Sequence, residues 1–253
     1  MSFQSTVLIT GSKTGIGKGL LEAYASRPNT LAIAAIRDGP DSSAAAALTS
    51  LPTAKDSKII VAQYDAGRKT AATDLVAYLT ATHNIKSLDI VVANAGILKQ
   101  YGAAREAAPE LIDEHFQINT LAAIILYQAT RSLLLASAQT PKFFVISSSI
   151  GSNALQDNYP MEVIAYGLSK AAVNWAASRI HREEDRLVVI AMQPGWIGTA
   201  MGSRAAEWVG VSPNELPVKL EDSVSGMVSF FDKADKETHS GKFWDQEGKQ
   251  LPW

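Results

Sequence analysis

Apolar residues fall in short continuous runs, separated by stretches where they recur at helical spacing. Residues 6–10, Thr6-Val7-Leu8-Ile9-Thr10, read as a fully buried strand. Residues 15–26 follow as a helix, and Pro28-Asn29 marks its end. Strand patterns recur at 30–36, 58–63, 88–92, 142–147 and 187–192, with a last one around 242–244. Helical patterns lie between them: an Ala-rich stretch capped by Asp41 or Ser42 and stopping near Pro52, then 68–83, 109–137, 161–184 and 220–231. Buried strands alternating with helices predict a parallel sheet covered on both faces. No linker or repeat interrupts the pattern, so residues 1–253 are expected to form one domain.

Composition narrows the class. Hydrophobic residues make up 47% and charged residues 19%, as in a compact soluble protein. The formal charge of -2 offers no basic surplus for nucleic acid and no charged tail for a membrane surface. The longest apolar runs, such as 121–127, are too short to span a bilayer. The first residues lead straight into a strand with no signal-peptide pattern. The absence of cysteine excludes disulfides and thiolate zinc sites, and fits a cytoplasmic protein. His83, His115, His181 and His239 lack the spacing of a metal pair, so no metal is expected.

The candidate chemistry begins after the first strand. Gly11-Ser12-Lys13-Thr14-Gly15-Ile16-Gly17 joins it to the first helix. Glycines there let backbone approach a phosphate, and the helix aims its first amides at the anion. A Walker A loop is excluded, because Gly19 rather than Ser or Thr follows Gly17-Lys18. An NAD site would place a carboxylate at the end of the second strand. That strand ends Ala34-Ala35-Ile36-Arg37, with no acid where one is needed. The Arg37 guanidinium suits a 2′-phosphate, with Lys13 as a second positive charge, so NADP(H) is the expected dinucleotide. The plainer alternative pairs Arg37 with Asp38. Asp65, just after the third strand, would face the adenine.

Tyr166-Gly167-Leu168-Ser169-Lys170 places a phenol and an ammonium on one helix face. A free phenol has a pKa near ~10, and a neighbouring positive charge is expected to lower it toward a working range. Ser147-Ser148-Ser149 ends the fifth strand and Asn94-Ala95-Gly96 the fourth, where ligands sit in an open α/β sheet. A serine hydroxyl there can hydrogen-bond a carbonyl oxygen as charge builds on it. Asn119 lies in the long helix between them.

Taken in order, Thr10-Gly11-x-x-x-Gly15-Ile16-Gly17, Asn94-Ala95-Gly96, Asn119, Ser147-Ser148, Tyr166-x-x-x-Lys170 and Pro194-Gly195-Trp196-Ile197-Gly198-Thr199 resemble the single-domain short-chain dehydrogenase/reductase family over essentially the whole chain. Ala34-Ala35-Ile36-Arg37-Asp38, Thr199-Ala200-Met201-Gly202 and the ending from Gly241 to Trp253 resemble its sniffer-like carbonyl reductases and fungal norsolorinic acid ketoreductase-like members. The resemblance implies a Rossmann-type doubly wound α/β fold with a mainly parallel seven-stranded sheet. It implies that Tyr166 is the general acid, Lys170 holds the cofactor ribose and lowers the Tyr166 pKa, Ser148 positions the carbonyl, and Asn119 orders a proton-relaying water. Gly11, Lys13, Thr14, Gly15, Ile16, Gly17 and Asn94 would surround the dinucleotide, with Ile197 and Thr199 at its carboxamide. The stretch from Ser148 to Tyr166 is longer than the family usually has, which leaves Ser149, and even Asn153, as alternatives to Ser148. Thr14 stands where NADP-binding relatives often carry a basic residue.

Leu98, Tyr101, Leu155, Tyr159, Met161, Trp196, Met201, Trp208, Val209 and Pro213 would wall the substrate side. Few charges accompany them, which suits a bulky hydrophobic or aromatic ketone or aldehyde, such as a polyketide-like secondary metabolite. The plainer alternative is that they pack on one another or in a subunit contact. Relatives range from monomers to tetramers, so a homo-oligomer is admitted. Two other tasks fit the same fold: a non-redox step such as cyclisation or dehydration, and a cofactor-binding sensor without turnover.

Overall fold

A computed structural model of the protein describes residues 3–158 and 161–253. Its strands are β1 (Ser5–Thr10), β2 (Thr30–Ile36), β3 (Lys58–Gln63), β4 (Ile90–Ala93), β5 (Lys142–Ile146), β6 (Val188–Gln193), β7 (Phe243–Asp245) and β8 (Gln250–Leu251). They form one sheet in the order β3-β2-β1-β4-β5-β6-β7-β8. Every pairing is parallel except β7 with β8. The sheet therefore has eight strands where the sequence predicts seven. β8 was not legible because it is two residues long, and its side chains are exposed or only half-buried. The Asp245 carboxylate turns the chain into it by accepting from the Glu247 and Lys249 amides at 3.0 and 2.8 Å.

Alternation along the strands divides the core in two. Val7 and Ile9 join Leu20, Leu21, Leu48, Met227 and Phe231 on one face. These belong to α1 (Gly15–Ala25), α2 (Ser43–Thr49) and α8 (Leu220–Lys233). Leu8 and Ile33 join Leu75, Leu79, Leu126, Leu134, Val173 and Ile180 on the other. That layer is α3 (Ala71–His83), α5 (Ala122–Leu135) and α6 (Ile164–Glu183). α4 (Pro109–His115) leads into α5 through a π-helical turn at Phe116–Leu121. The continuous helical stretch Pro109–Leu135 is long and apolar enough to cross a membrane by composition. Here it is a core helix, with Leu126, Leu133 and Leu134 packed onto the sheet and His115, Asn119 and Thr120 buried within it.

The strand order reverses between β1 and β4. In doubly wound sheets the crevice at such a reversal receives ligands at the carboxyl ends of the strands. Gly11 leaves β1 there and Asn94 leaves β4. α7 (Ala200–Trp208), a helix absent from the sequence reading, follows β6 on the same side.

Candidate active site

The glycine turn is built for close contact. Gly11 and Gly15 have φ of +69° and +57°, where a side chain is strained. A Cβ on Gly17 would stand 2.4 Å from the Gly11 carbonyl oxygen, so only glycine fits. Asn94 braces the turn from β4, its Nδ2 donating to the Thr10 carbonyl at 2.8 Å. The Asn94 and Ala95 amides both donate to Thr10 Oγ1 at 3.0 Å. Thr10, the first residue of the glycine-turn motif, thus ties β1 to β4 at the crevice. Ile16 packs onto the α1 side of the core, and the Thr199 methyl lies 3.2 Å from where a Gly15 Cβ would be. Thr14 precedes α1 without a side-chain cap, and the first turn carries no acid. Those amides are free to face an anion.

At the end of β2, Lys13 Nζ lies 3.0 Å from the Asp38 carboxylate. The alternative pairing of Arg37 with Asp38 is therefore overturned: Asp38 is taken by Lys13. Arg37 is exposed, and its guanidinium forms no ion pair among the described residues. Asp65 is half-buried after β3 and accepts from the Gly67 amide at 3.0 Å.

Tyr166 and Lys170 lie one turn apart on α6, with Lys170 Nζ 5.5 Å from the Tyr166 ring centre. Lys170 is buried and donates to the Ile146 carbonyl at 2.7 Å. Burial lowers its pKa to about 8. Burial pushes the Tyr166 phenol up to about 12, opposed by hydrogen bonding from the Ser148 hydroxyl and reinforced by Tyr101. The protein by itself thus moves the phenol opposite to the downward shift expected from sequence, because desolvation outweighs its neighbours.

The three serines after β5 have different partners. Ser147 donates to Asn174 Oδ1 at 2.5 Å. Ser149 accepts from Gln193 Nε2 at 3.1 Å and returns a backbone bond to the same amide. Ser148 receives the Ile150 amide at 3.3 Å and is the serine that reaches Tyr166. Asn153 lies exposed in the following 3-10 segment. Asn119 sits in the π-helical turn, where the regular ladder is interrupted. Its Oδ1 accepts from the Ile97 amide at 2.8 Å, and its Nδ2 donates to the Ile97 carbonyl and to Ser169 Oγ at 2.9 Å. The side-chain amide is therefore used in holding the loop after β4 against α6.

Leu98, Met161 and Met201 meet Tyr166 in one apolar cluster with Tyr101, Ile150, Val163 and Ala205. Trp208 lies against Tyr101, ring centres 5.5 Å apart. Trp196 turns to α7 instead, its indole donating to the Gly202 carbonyl at 3.2 Å. Ile197 is buried and bridges Val218, and Thr199 caps α7 through Oγ1. Tyr159 lies outside the described residues. Among the described residues no group of His, Asp or Glu could hold a metal.

A Rossmann-type sheet with a glycine turn, a Tyr-Lys helix and a serine at a strand end defines a dinucleotide-linked oxidoreductase architecture. Residues 5–210 match the short chain dehydrogenase family, and the chain belongs to it. It is 36% identical to the norsolorinic acid ketoreductase of Emericella nidulans over 99% of this chain and 94% of that one. It is 35% identical to the norsolorinic acid ketoreductase of Aspergillus parasiticus over 99% of this chain and 92% of that one. Its fold matches the NADPH-bound carbonyl reductase from chicken fatty liver with a TM-score of 0.83, at 25% identity and full coverage of both chains.

Proposed function

We propose that this protein is an NADP(H)-dependent reductase of a ketone or aldehyde on a bulky hydrophobic or aromatic substrate of secondary metabolism. The observation that carries this reading is that Tyr166 belongs at once to the acid–base helix and to the apolar cluster with Leu98, Met161 and Met201. A proton donor is thereby built into an apolar wall suited to an aromatic ketone. The names of the norsolorinic acid ketoreductase relatives and the NADPH-bound structural relative support the same choice.

The chain fits the dinucleotide. The uncapped amides of α1 and the close turn at Gly11, Thr14, Gly15, Ile16 and Gly17 suit its diphosphate, while Lys13, expected beside Arg37 at the 2′-phosphate, is held by Asp38. Arg37, left free by the Lys13–Asp38 pair, suits the 2′-phosphate. Asp65, Asn94, Lys170, Ile197 and Thr199 would line the remainder of the site, Asn94 mainly by bracing the turn. Bound there, NADPH would supply a hydride to the carbonyl carbon.

The protein's own part is proton supply and positioning. Tyr166, held neutral by burial, donates its phenolic proton to the carbonyl oxygen as negative charge builds there. The Ser148 hydroxyl donates to the same oxygen and orients it. Lys170, with a pKa near 8, remains largely protonated at neutral pH and favours the phenolate left behind. Asn119 fixes the Ile97 loop against α6. The reading carries with it a cytoplasmic location and admits a dimer or tetramer.

NADPH consumption should be followed across aromatic and polyketide-like ketones, with NADH as control. Oxidation of NADPH in preference to NADH, with alcohol as product, is expected. Conversion without NADPH would establish the non-redox alternative, and binding without oxidation the sensor.

A further inference from the structure

The loop between β4 and α4 holds one polar atom that neither the fold nor the proposed chemistry uses. This is the Tyr101 hydroxyl, which is buried and has no hydrogen-bond partner among the described residues. The Tyr24 hydroxyl is likewise unpartnered, but it is sealed inside the α1 side of the core. Tyr101 is placed differently. Its ring belongs to the apolar cluster around Tyr166, and the two phenols are close enough for Tyr101 to raise the Tyr166 pKa. On its other side it rests on Trp208, and the positive charge of Arg204 is felt at its hydroxyl.

The loop gives this hydroxyl little freedom to turn away. Ile97 is pinned at both its amide and its carbonyl by Asn119. The Lys99 amide donates to buried His115 Nε2 at 3.0 Å. Gln100 donates to the Gly102 carbonyl at 2.8 Å and accepts from the Ala165 amide at 3.2 Å, beside Tyr166. The Gly102 amide donates to the Glu162 carbonyl at 2.8 Å. Tyr101 is therefore fixed between two residues clamped to the start of α6. A hydroxyl held in an apolar pocket without a partner costs free energy, which phenylalanine would avoid at the same shape.

We propose that Tyr101 is a specificity-determining residue that hydrogen-bonds a second oxygen of the substrate, a hydroxyl or carbonyl on its aromatic system, while Tyr166 addresses the reacting carbonyl. The inference rests on the reductase reading and narrows its substrate class to oxygenated aromatic ketones. A phenol can donate or accept, and the nearby Arg204 charge favours a substrate oxygen rich in electron density. A site built to bond such an oxygen discriminates strongly against an analogue lacking it, because its own polar group is then left unpaired.

The test compares wild type and Tyr101→Phe on 2-acetylnaphthalene and its monohydroxylated derivatives, with NADPH. Wild type should prefer at least one hydroxylated ketone over the parent by about tenfold or more in kcat/KM. Tyr101→Phe should erase that preference and melt no lower than wild type, since it removes an unpartnered polar group. An unchanged preference in Tyr101→Phe, or an equal loss on every ketone, would overturn the inference while leaving the reductase reading in place. A wild-type protein that oxidises NADPH with none of them removes that reading, and this inference with it.

Discussion

Lys13 and Asp38 close an ion pair of 3.0 Å across the mouth of the glycine turn. The pair neutralises the one acid beside Arg37 and leaves that guanidinium available for a phosphate. Both members are partly exposed, so the pair itself adds little stability. Arg37→Ala should raise the KM for NADPH roughly 10- to 100-fold, the loss of a charge-assisted bond or two, and leave that for NADH within about twofold. Steady-state kinetics with both dinucleotides checks this. An equal change for both would place Arg37 outside phosphate recognition.

Ser148 and Ser149 are adjacent just after the end of β5, and two variants separate their roles. Ser148→Ala should lower kcat by about 100-fold with little change in melting temperature. Ser149→Ala leaves the Gln193 amide short of a partner and should cost roughly 1–3 kcal/mol of stability, with kcat near normal. Urea unfolding beside turnover measurements on both proteins decides it. A large kcat effect confined to Ser149→Ala contradicts the assignment.

The buried Lys170 gives stability a characteristic pH dependence. Its pKa is about 8 in the folded chain and ~10.4 when unfolded. Between those values the unfolded state binds more protons, so stability rises with pH. Below pH 8 both states carry the proton and the burial penalty is fully present. Tyr166, raised to about 12, acts in the opposite sense, but only above the ordinary phenol range. Relative to Lys170→Met, wild type should therefore gain stability from pH 7.5 to 9.5. A difference that stays constant across that window would show that Lys170 is not desolvated.

Much of this arrangement is written locally. Continuous runs such as 30–36 mark strands because both sheet faces are covered, and every residue of β2 is buried. The glycine turn, Tyr166-x-x-x-Lys170 and the serine triplet are contiguous motifs, readable at sight. What escaped depends on partners distant in sequence. Ser148 and Ser149 are adjacent serines in sequence, and are told apart by distant partners: Gln193, from β6, captures Ser149, while Ser148 reaches Tyr166 on α6. The π-helical turn at Asn119 carries no proline or glycine, and its signal is the Asn119 side chain bridging to Ile97 and Ser169. α7 leaves no clear helical signal in the sequence because it combines small and polar residues with only scattered apolar ones. The upward shift of Tyr166 reflects the apolar side chains packed around it, which spacing alone does not reveal.

The account stands on Tyr166 as proton donor to the substrate oxygen. The most direct measurement is single-turnover NADPH oxidation by Tyr166→Phe and wild type on an aromatic ketone that wild type reduces, with NADPH affinity measured by titration on both. The account predicts a rate lower by about 100- to 10,000-fold, with NADPH affinity within about threefold of wild type. A Tyr166→Phe protein that reduces the ketone at the wild-type rate would contradict it.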